Sequence, residues 1–381
     1  MRSVRLAAGF LCLAAPLTAQ TSSYVARLGR DTVALERTTR TGSRVVGDLF
    51  TTSPRARRVH YVATLDGKGR VSRFEATSTA AVETPPSPTL TIVEEIHDTL
   101  ATVIITRGTG KPDTSRMRVG DGAAPFLAFS VGLLEQMTLQ AHRSGKDSVA
   151  IDMVVAGQPK AFPSYVAKRG RDSVAVDFFG LPNYLRVDDK GRVLGLNGMR
   201  TTQKFLIDRV AALDLERVSE SFVAREKAGQ VAGMMSPRDT ARAVFAAPSV
   251  WVDYGRPTKR GREILGTVVP WNQVWRTGAN AATQLNTTTD LRVGDTVIPA
   301  GKYTLWTLPT PSGAKLIINR QTGQWGTEYD STKDLVRLDL RTEQLTEPVE
   351  RLTITVVSLG AAGELRIDWD KIRWVLPFTV R

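Results

Sequence analysis

The sequence predicts a mainly β protein of two domains: an N-terminal curved antiparallel meander with one packed helix, then a C-terminal antiparallel sandwich or jelly roll. Three observations lead there. Apolar and polar residues alternate along much of the chain, the period of a half-buried strand. Short Asp, Gly and Pro clusters break the alternating runs, as hairpin turns do. The chain of 381 residues is longer than one core ordinarily serves, so two cores are expected.

The first 19 residues predict a secretory leader: a basic start at Arg2 and Arg5, an apolar run Leu6–Leu17, and "LTAQ" with cleavage after Ala19. The run is too short for a membrane span. The mature chain is therefore expected to begin at Gln20 and to be exported, soluble in the periplasm or outside the cell. Cys12, the one cysteine, lies inside the leader, and the "GFL" before it lacks a lipobox pattern. Disulfides, thiolate nucleophiles and cysteine-bound metals are excluded from the mature chain.

Residues 20–218 are expected to form the first domain. "YVARLGRDTVALE" (Tyr24 to Glu36) returns as "YVAKRGRDSVAVD" (Tyr165 to Asp177), with a shorter echo "GKDSVAID" from Gly145 to Asp152. Each is a Gly-basic-Asp turn feeding a strand. "LDGKGRVSRFEA" and "VDDKGRVLGLNG" repeat a second turn-and-strand unit. The spacing is uneven, so a meander fits better than a solenoid. Between the copies, Phe126, Phe129, Leu133, Leu134, Met137 and Ala141 fall at helical spacing, with Gln136, Gln140 and Arg143 opposite. This stripe predicts one helix packed on the sheet. "ETPPSPT" (Glu83 to Thr89) reads as a hairpin connection.

Leu215, Val218, Phe222 and Val223 predict a short helix, ended by Gly229 and Gly233, and the linker is placed at 219–235. Residues 236–381 then read as strands throughout: "SVWVDYG", "DTVIPAGKYTLWTLP", "AKLIINR", "LVRLDLR", "ERLTITVVS" and "ELRIDWDK".

Net charge is +13, and removal of Arg2 and Arg5 leaves +11. That balance suits an anionic small molecule, an acidic glycan or peripheral contact with an envelope surface. Nucleic acid is not expected: the chain reads as exported and carries no recognition motif. Part of the charge concentrates at one place. Arg256, Lys259, Arg260, Arg262 and Arg276 gather around "DYGRPTKRGREILGTVVPWNQVWRTGANAATQL", with Glu263 the one acid between them.

In order, "SPRDT", "VDYGRPTKRGREI", "VVPWNQVWRTGANAATQL", "IPAGKYTLWTLP" and "INRQTGQWGT" resemble the motif string of domain-of-unknown-function family 2911. The resemblance runs from Ser236 to the C-terminus. It implies a bacterial, commonly exported, β-rich domain and leaves the reaction open. The N-terminal part resembles no family that its residues identify.

Histidine chemistry is not available to the second domain, since His60, His97 and His142 all precede it. No metal spacing and no cofactor motif is present, so no cofactor is expected. Asp368 and Asp370, at i and i+2 of one strand, are weak metal candidates; a solvent face is their commoner role. The Arg-rich segment is a solvated loop, ties loops together, or binds an anion, with Tyr254, Arg256, Lys259, Arg262, Trp275, Arg276 and Asn280 as the binding set. A bend at Thr277, Gly278 and Asn280 would let Trp275 and Arg276 reach one pocket. The expected function is a non-catalytic binding module for an anionic or glycan ligand. The alternative is a hydrolase using Asp253 or Glu263 as acid or base, with Arg276 stabilising charge. An unpaired carboxylate beside the arginines would separate the two. The oligomeric state is not legible.

Overall fold

A computed structural model describes residues 19–178, 180–199, 201, 204–230, 232–245 and 249–380. The expected leader, Cys12 included, lies outside the described residues except for Ala19. The first strands are β1 (Gln20–Leu28), β2 (Asp31–Thr41), β3 (Arg44–Thr51), β4 (Arg57–Leu65), β5 (Val71–Ala80), β6 (Pro88–His97), β7 (Leu100–Arg107) and β8 (Asp113–Arg118). Then come β9 (Ala124–Pro125), helix α1 (Val131–Ser144), β10 (Ser148–Ala150) and β11 (Met153–Val154). They are followed by β12 (Tyr165–Lys168), β13 (Ser173–Phe178), β14 (Leu181–Val187), β15 (Val193–Asn197), β16 (Leu206–Val210) and helix α2 (Leu215–Lys227).

Fourteen of these strands form one sheet, in the order β10-β12-β13-β14-β15-β16-β1-β2-β3-β4-β5-β6-β7-β8. β16 returns beside β1, antiparallel, so both repeat copies share one sheet. The two turns of the second repeat are built alike. Asp66 accepts the N–H groups of Lys68 and Arg70 and the Arg70 side chain. Asp188 does the same for Lys190 and Arg192. An Asx turn of this kind fixes a hairpin locally, which is why the motif survives at two distant places in the chain.

α1 starts where Ser130 caps it, accepting from Leu133 N–H, and stops at Gly145, whose left-handed backbone donates to His142 O. Phe126 and Phe129 precede the helix yet pack against the same cluster as Leu134, Met137 and Ala141. One expectation is corrected. Gln136 is not on a solvent face but 3% exposed, receiving Arg40 and donating to Gly132 O. The strands around the helix leave little of it to water, so its polar side needs protein partners.

α2 also corrects the linker. Its Leu215 and Val223 join Val25, Leu35 and Phe50 of β1–β3 in one cluster. Arg37 forks onto Glu216, and Glu226 takes the N–H of Ala56. A helix with its apolar stripe buried on a sheet is part of that domain. The first residues expected as linker, 219–227, thus lie in a helix packed on the N-terminal sheet.

The second part contains β17 (Arg238–Val244), β18 (Ser249–Gly255), β19 (Thr283–Thr287), β20 (Leu291–Val293) and β21 (Thr296–Ile298). It continues with β22 (Gly301–Thr310), β23 (Gly313–Asn319), β24 (Asp334–Leu359) and β25 (Ala362–Val380). Their order is β17-β18-β19-β22-β23-β24-β25-β20-β21. "LVRLDLR" and "ERLTITVVS", expected as two strands, are the two ends of β24. Its start pairs with β23 and its end with β25, with register breaks around Val349. The bend brings its far half against β18: Tyr254 Oη exchanges hydrogen bonds with the backbone of Ile354. Val252, Leu285, Leu305, Leu316, Ile354 and Ile367 fill the space between the layers. This is the expected sandwich.

Among the described residues no strand is shared between the two parts. They touch where Arg30 N–H donates to Arg260 O at 3.0 Å and Arg260 pairs with Asp31.

Candidate functional site

Between β18 and β19 the chain leaves the sheet for 27 residues. Ile264 and Val269 anchor this excursion in the core. Trp275 exchanges two 2.8 Å backbone bonds with Thr307 of β22, and Asn280 O receives the N–H of Gly326. Within that frame Asn272, Thr277 and Asn280 all adopt positive φ, between 53° and 64°. Thr277 is β-branched, so this backbone is strained there. Its hydroxyl contact with Thr307 at 2.7 Å and its complete burial hold it. The strain has a local result: Trp275 and Arg276, which would diverge on a straight strand, both line one cleft.

That cleft has a volume of about 1400 Å³ and lies between the two domains. Arg262, Trp275, Arg276 and Asn280 from the expected binding set line it. Arg276 gives its Nε to Gly278 O at 3.3 Å, and among the described residues it forms no ion pair with a carboxylate. Burial holds its guanidinium down at about 10, still a full cation at neutral pH. Arg262 is fastened to Lys259 O and Thr258 O, again without a carboxylate ion pair among the described residues. Its pKa is lowered by burial and by the charge of Arg260. Trp275 stacks on Trp369, with ring centres 5.8 Å apart.

The rest of the expected set lies elsewhere, and each is a correction with a visible cause. Tyr254 is 1% exposed and bonded to β24, so it is core. Arg256 is used up by Leu352 O, Thr353 Oγ1 and Asp239. Lys259 pairs with Asp370. These three follow the bend of β24 rather than the cleft. Both acids proposed for a hydrolase are also displaced from it. Asp253 is paired with Arg238 at 2.8 Å, and Glu263 is exposed, bonded to Thr267. The weak metal pair is occupied by cations, Asp368 in a two-point bond to Arg373 and Asp370 by Lys259. Among the described residues no set of three or more His, Cys, Asp or Glu is gathered for a metal.

Several cleft residues were not foreseen. Lys204 comes from the turn between β15 and β16; burial lowers its pKa, and the charges of Arg262 and Arg276 lower it further. Trp325 lies on the opposite domain and is 51% exposed. Gly326 is required beside it: a Cβ there would stand 2.2 Å from Arg276 Cδ and 2.4 Å from Asn280 O. Two carboxylates enter the lining, and each accepts a backbone N–H: Asp177 from Gly180, Glu328 from Trp325.

Residues 236–378 match the family described as Protein of unknown function (DUF2911). The DUF2911 part thus holds the excursion, Arg262, Arg276 and Trp325, while Lys204 lies outside it. The N-terminal region has no family match. No curated protein matches the sequence. Among solved structures, a DUF1089 family protein from Pseudomonas aeruginosa is 14% identical, with a TM-score of 0.29, over 50% of this chain and 95% of its own. A beta-barrel-like protein of domain of unknown function DUF1849 from Brucella abortus is 10% identical, with a TM-score of 0.30, over 51% of this chain and 96% of its own. Among the described residues no helix is long and apolar enough to cross a membrane.

Proposed function

We propose that this is an exported, non-catalytic binding module whose cleft between the domains accepts an anionic ligand, its two lining carboxylates, Asp177 and Glu328, each being held by a backbone N–H. The observation that carries the reading is Arg276, mostly buried on the cleft wall without a carboxylate ion pair among the described residues. A guanidinium removed from water needs a counter-charge, and an anion entering the cleft supplies one. Arg262 adds a second cation and Trp325 an exposed ring face. A leader of three parts at residues 1–19 supports export.

Thermal-shift titration of the wild type with phosphate, uronic acids and sulfated sugars tests this. At least one class should raise Tm. Arg276→Ala should weaken binding by about 10- to 100-fold, the worth of one charge-assisted hydrogen bond. Arg276→Lys should recover part of the loss, because an ammonium lacks the planar fork. If no anion stabilises the wild type, or Arg276→Ala unfolds the protein, Arg276 is a structural tie and the reading fails.

A further inference from the structure

Both domains contribute cations to the cleft, whose lining also holds the carboxylates Asp177 and Glu328, neither of them ion-paired with these cations among the described residues. Lys204 belongs to the N-terminal domain, Arg262 and Arg276 to the C-terminal one, and each arginine's charge depresses the lysine. None of the three is ion-paired among the described residues. Lys204 Nζ donates to Met199 O at 2.7 Å within its own turn, which aims the ammonium without neutralising it. Its backbone is left-handed, φ 59°, a conformation that a lysine adopts at a cost. Repulsion across a domain boundary weakens the contact unless something negative sits between.

Aromatic residues line both walls as well: Tyr165 and Phe205 on the N-terminal side, Trp275 and the half-exposed Trp325 on the other. Neutral hydrogen-bonding groups, Gln158 and Gln273, are also in the lining. The volume of about 1400 Å³ exceeds the roughly 300–1,000 Å³ of most small-ligand pockets. A lone phosphate would fill a small part of it and reach one wall.

We infer that the ligand is an acidic oligosaccharide held by both domains at once, with Lys204 its contact on the N-terminal domain. Acid groups along a chain of sugar rings match cations on two walls. The rings match the aromatic faces, and the hydroxyls match the amides. Binding then clasps the domains together. The inference rests on the anion-site reading above and extends it from one charge to a bridging ligand.

The test uses the full chain and calorimetric titration with galacturonic acid, its trimer, a sulfated trisaccharide and a neutral trisaccharide. The acidic trimers should bind at least about 10-fold more tightly than the monomer, since contacts on two walls act as linked sites. Whichever acid trimer binds tighter, uronate or sulfate, names the acid. Lys204→Gln keeps a donor for Met199 O and removes the charge. It should weaken trimer binding by about 10-fold without lowering the unliganded Tm, since it also removes the repulsion from Arg262 and Arg276, and Lys204→Arg should restore binding. If monomer and trimer bind alike, if the neutral trimer matches the acidic ones, or if Lys204→Gln binds as wild type does, the bridge is overturned. Should Arg276→Ala still abolish binding in that case, the anion site stands on the C-terminal domain alone. If neither these acids nor phosphate binds the wild type, both readings fall.

Discussion

Glu94 on β6 faces inward between Ile92 and Ile96, paired across the strands with the buried Phe74 and Val103. Both its oxygens are buried with no hydrogen-bond partner, so burial pushes its pKa up to about 8. The folded protein keeps this proton at pH 7, while the unfolded chain, near 4.5, has released it. Stability from this group is therefore full below about pH 4.5 and falls as pH rises toward 8. The loss is about 3 kcal/mol at pH 7. Glu94→Leu should raise stability at pH 7 by roughly 2–3 kcal/mol and flatten the decline between pH 5 and 8. Urea denaturation at several pH values reads this directly. An unchanged slope would mean that another acid carries the decline. The alternating pattern of β6 hides this residue, because an inward glutamate looks like a register error until its neighbours are known. The cleft was legible to a similar extent. Arg276 stood out because no acid lies near it in sequence, and the bend at Thr277 followed from its small and amide neighbours. Lys204 gave no signal, since its partners are in another domain. The diversion of Arg256 and Lys259 depended on where β24 bends.

At the scale of the element, α1 is held by a carboxylate from the sheet. Glu36 of β2 accepts the N–H groups of Val131 and Gly132 at 2.7 and 3.0 Å, and the hydroxyls of Ser130 and Tyr61. Burial raises its pKa to about 7, against the pull of these four bonds. A negative group at a helix N-terminus satisfies orphan donors and complements the helix dipole. Gly132 is needed there, since a Cβ would stand 2.3 Å from the Tyr61 hydroxyl. Glu36→Gln should destabilise the fold by about 2–4 kcal/mol, because an amide turns one acceptor into a donor facing N–H groups. A lower urea midpoint at unchanged m-value is the expected result; a midpoint within error of wild type would show that the cap is dispensable. The sequence made α1 visible through its apolar stripe, and hid its polar side's burial, which depends on β2, β9, β10, β12 and β15 packing against it. Strands with period-two alternation were equally visible. The continuity of β24 was not, because "TEQLTEPVER" between its ends reads as a polar loop, and Pro348 ordinarily ends a strand unless it sits at a bulge.

Over the whole molecule, two cores are kept apart by chain order. Every residue of the sandwich cluster lies between Ala241 and Val380, and the clusters around α1 and α2 use residues up to Met235. The contact between them includes one backbone hydrogen bond and the Arg260–Asp31 pair, with a wide cleft beside it. A partly buried pair and one such bond contribute about 1–3 kcal/mol together. A core of its own should supply more than that. Residues 236–381 expressed alone should therefore unfold in one cooperative transition, with an m-value of about 1–3 kcal/mol/M in urea. The full chain should lose cooperativity between its two halves before either half melts internally. A fragment that shows no transition would mean that α2 and the N-terminal sheet complete the sandwich core. In that case the cleft would be a seam within one folding unit, and a ligand bound there could not act as a clasp between two.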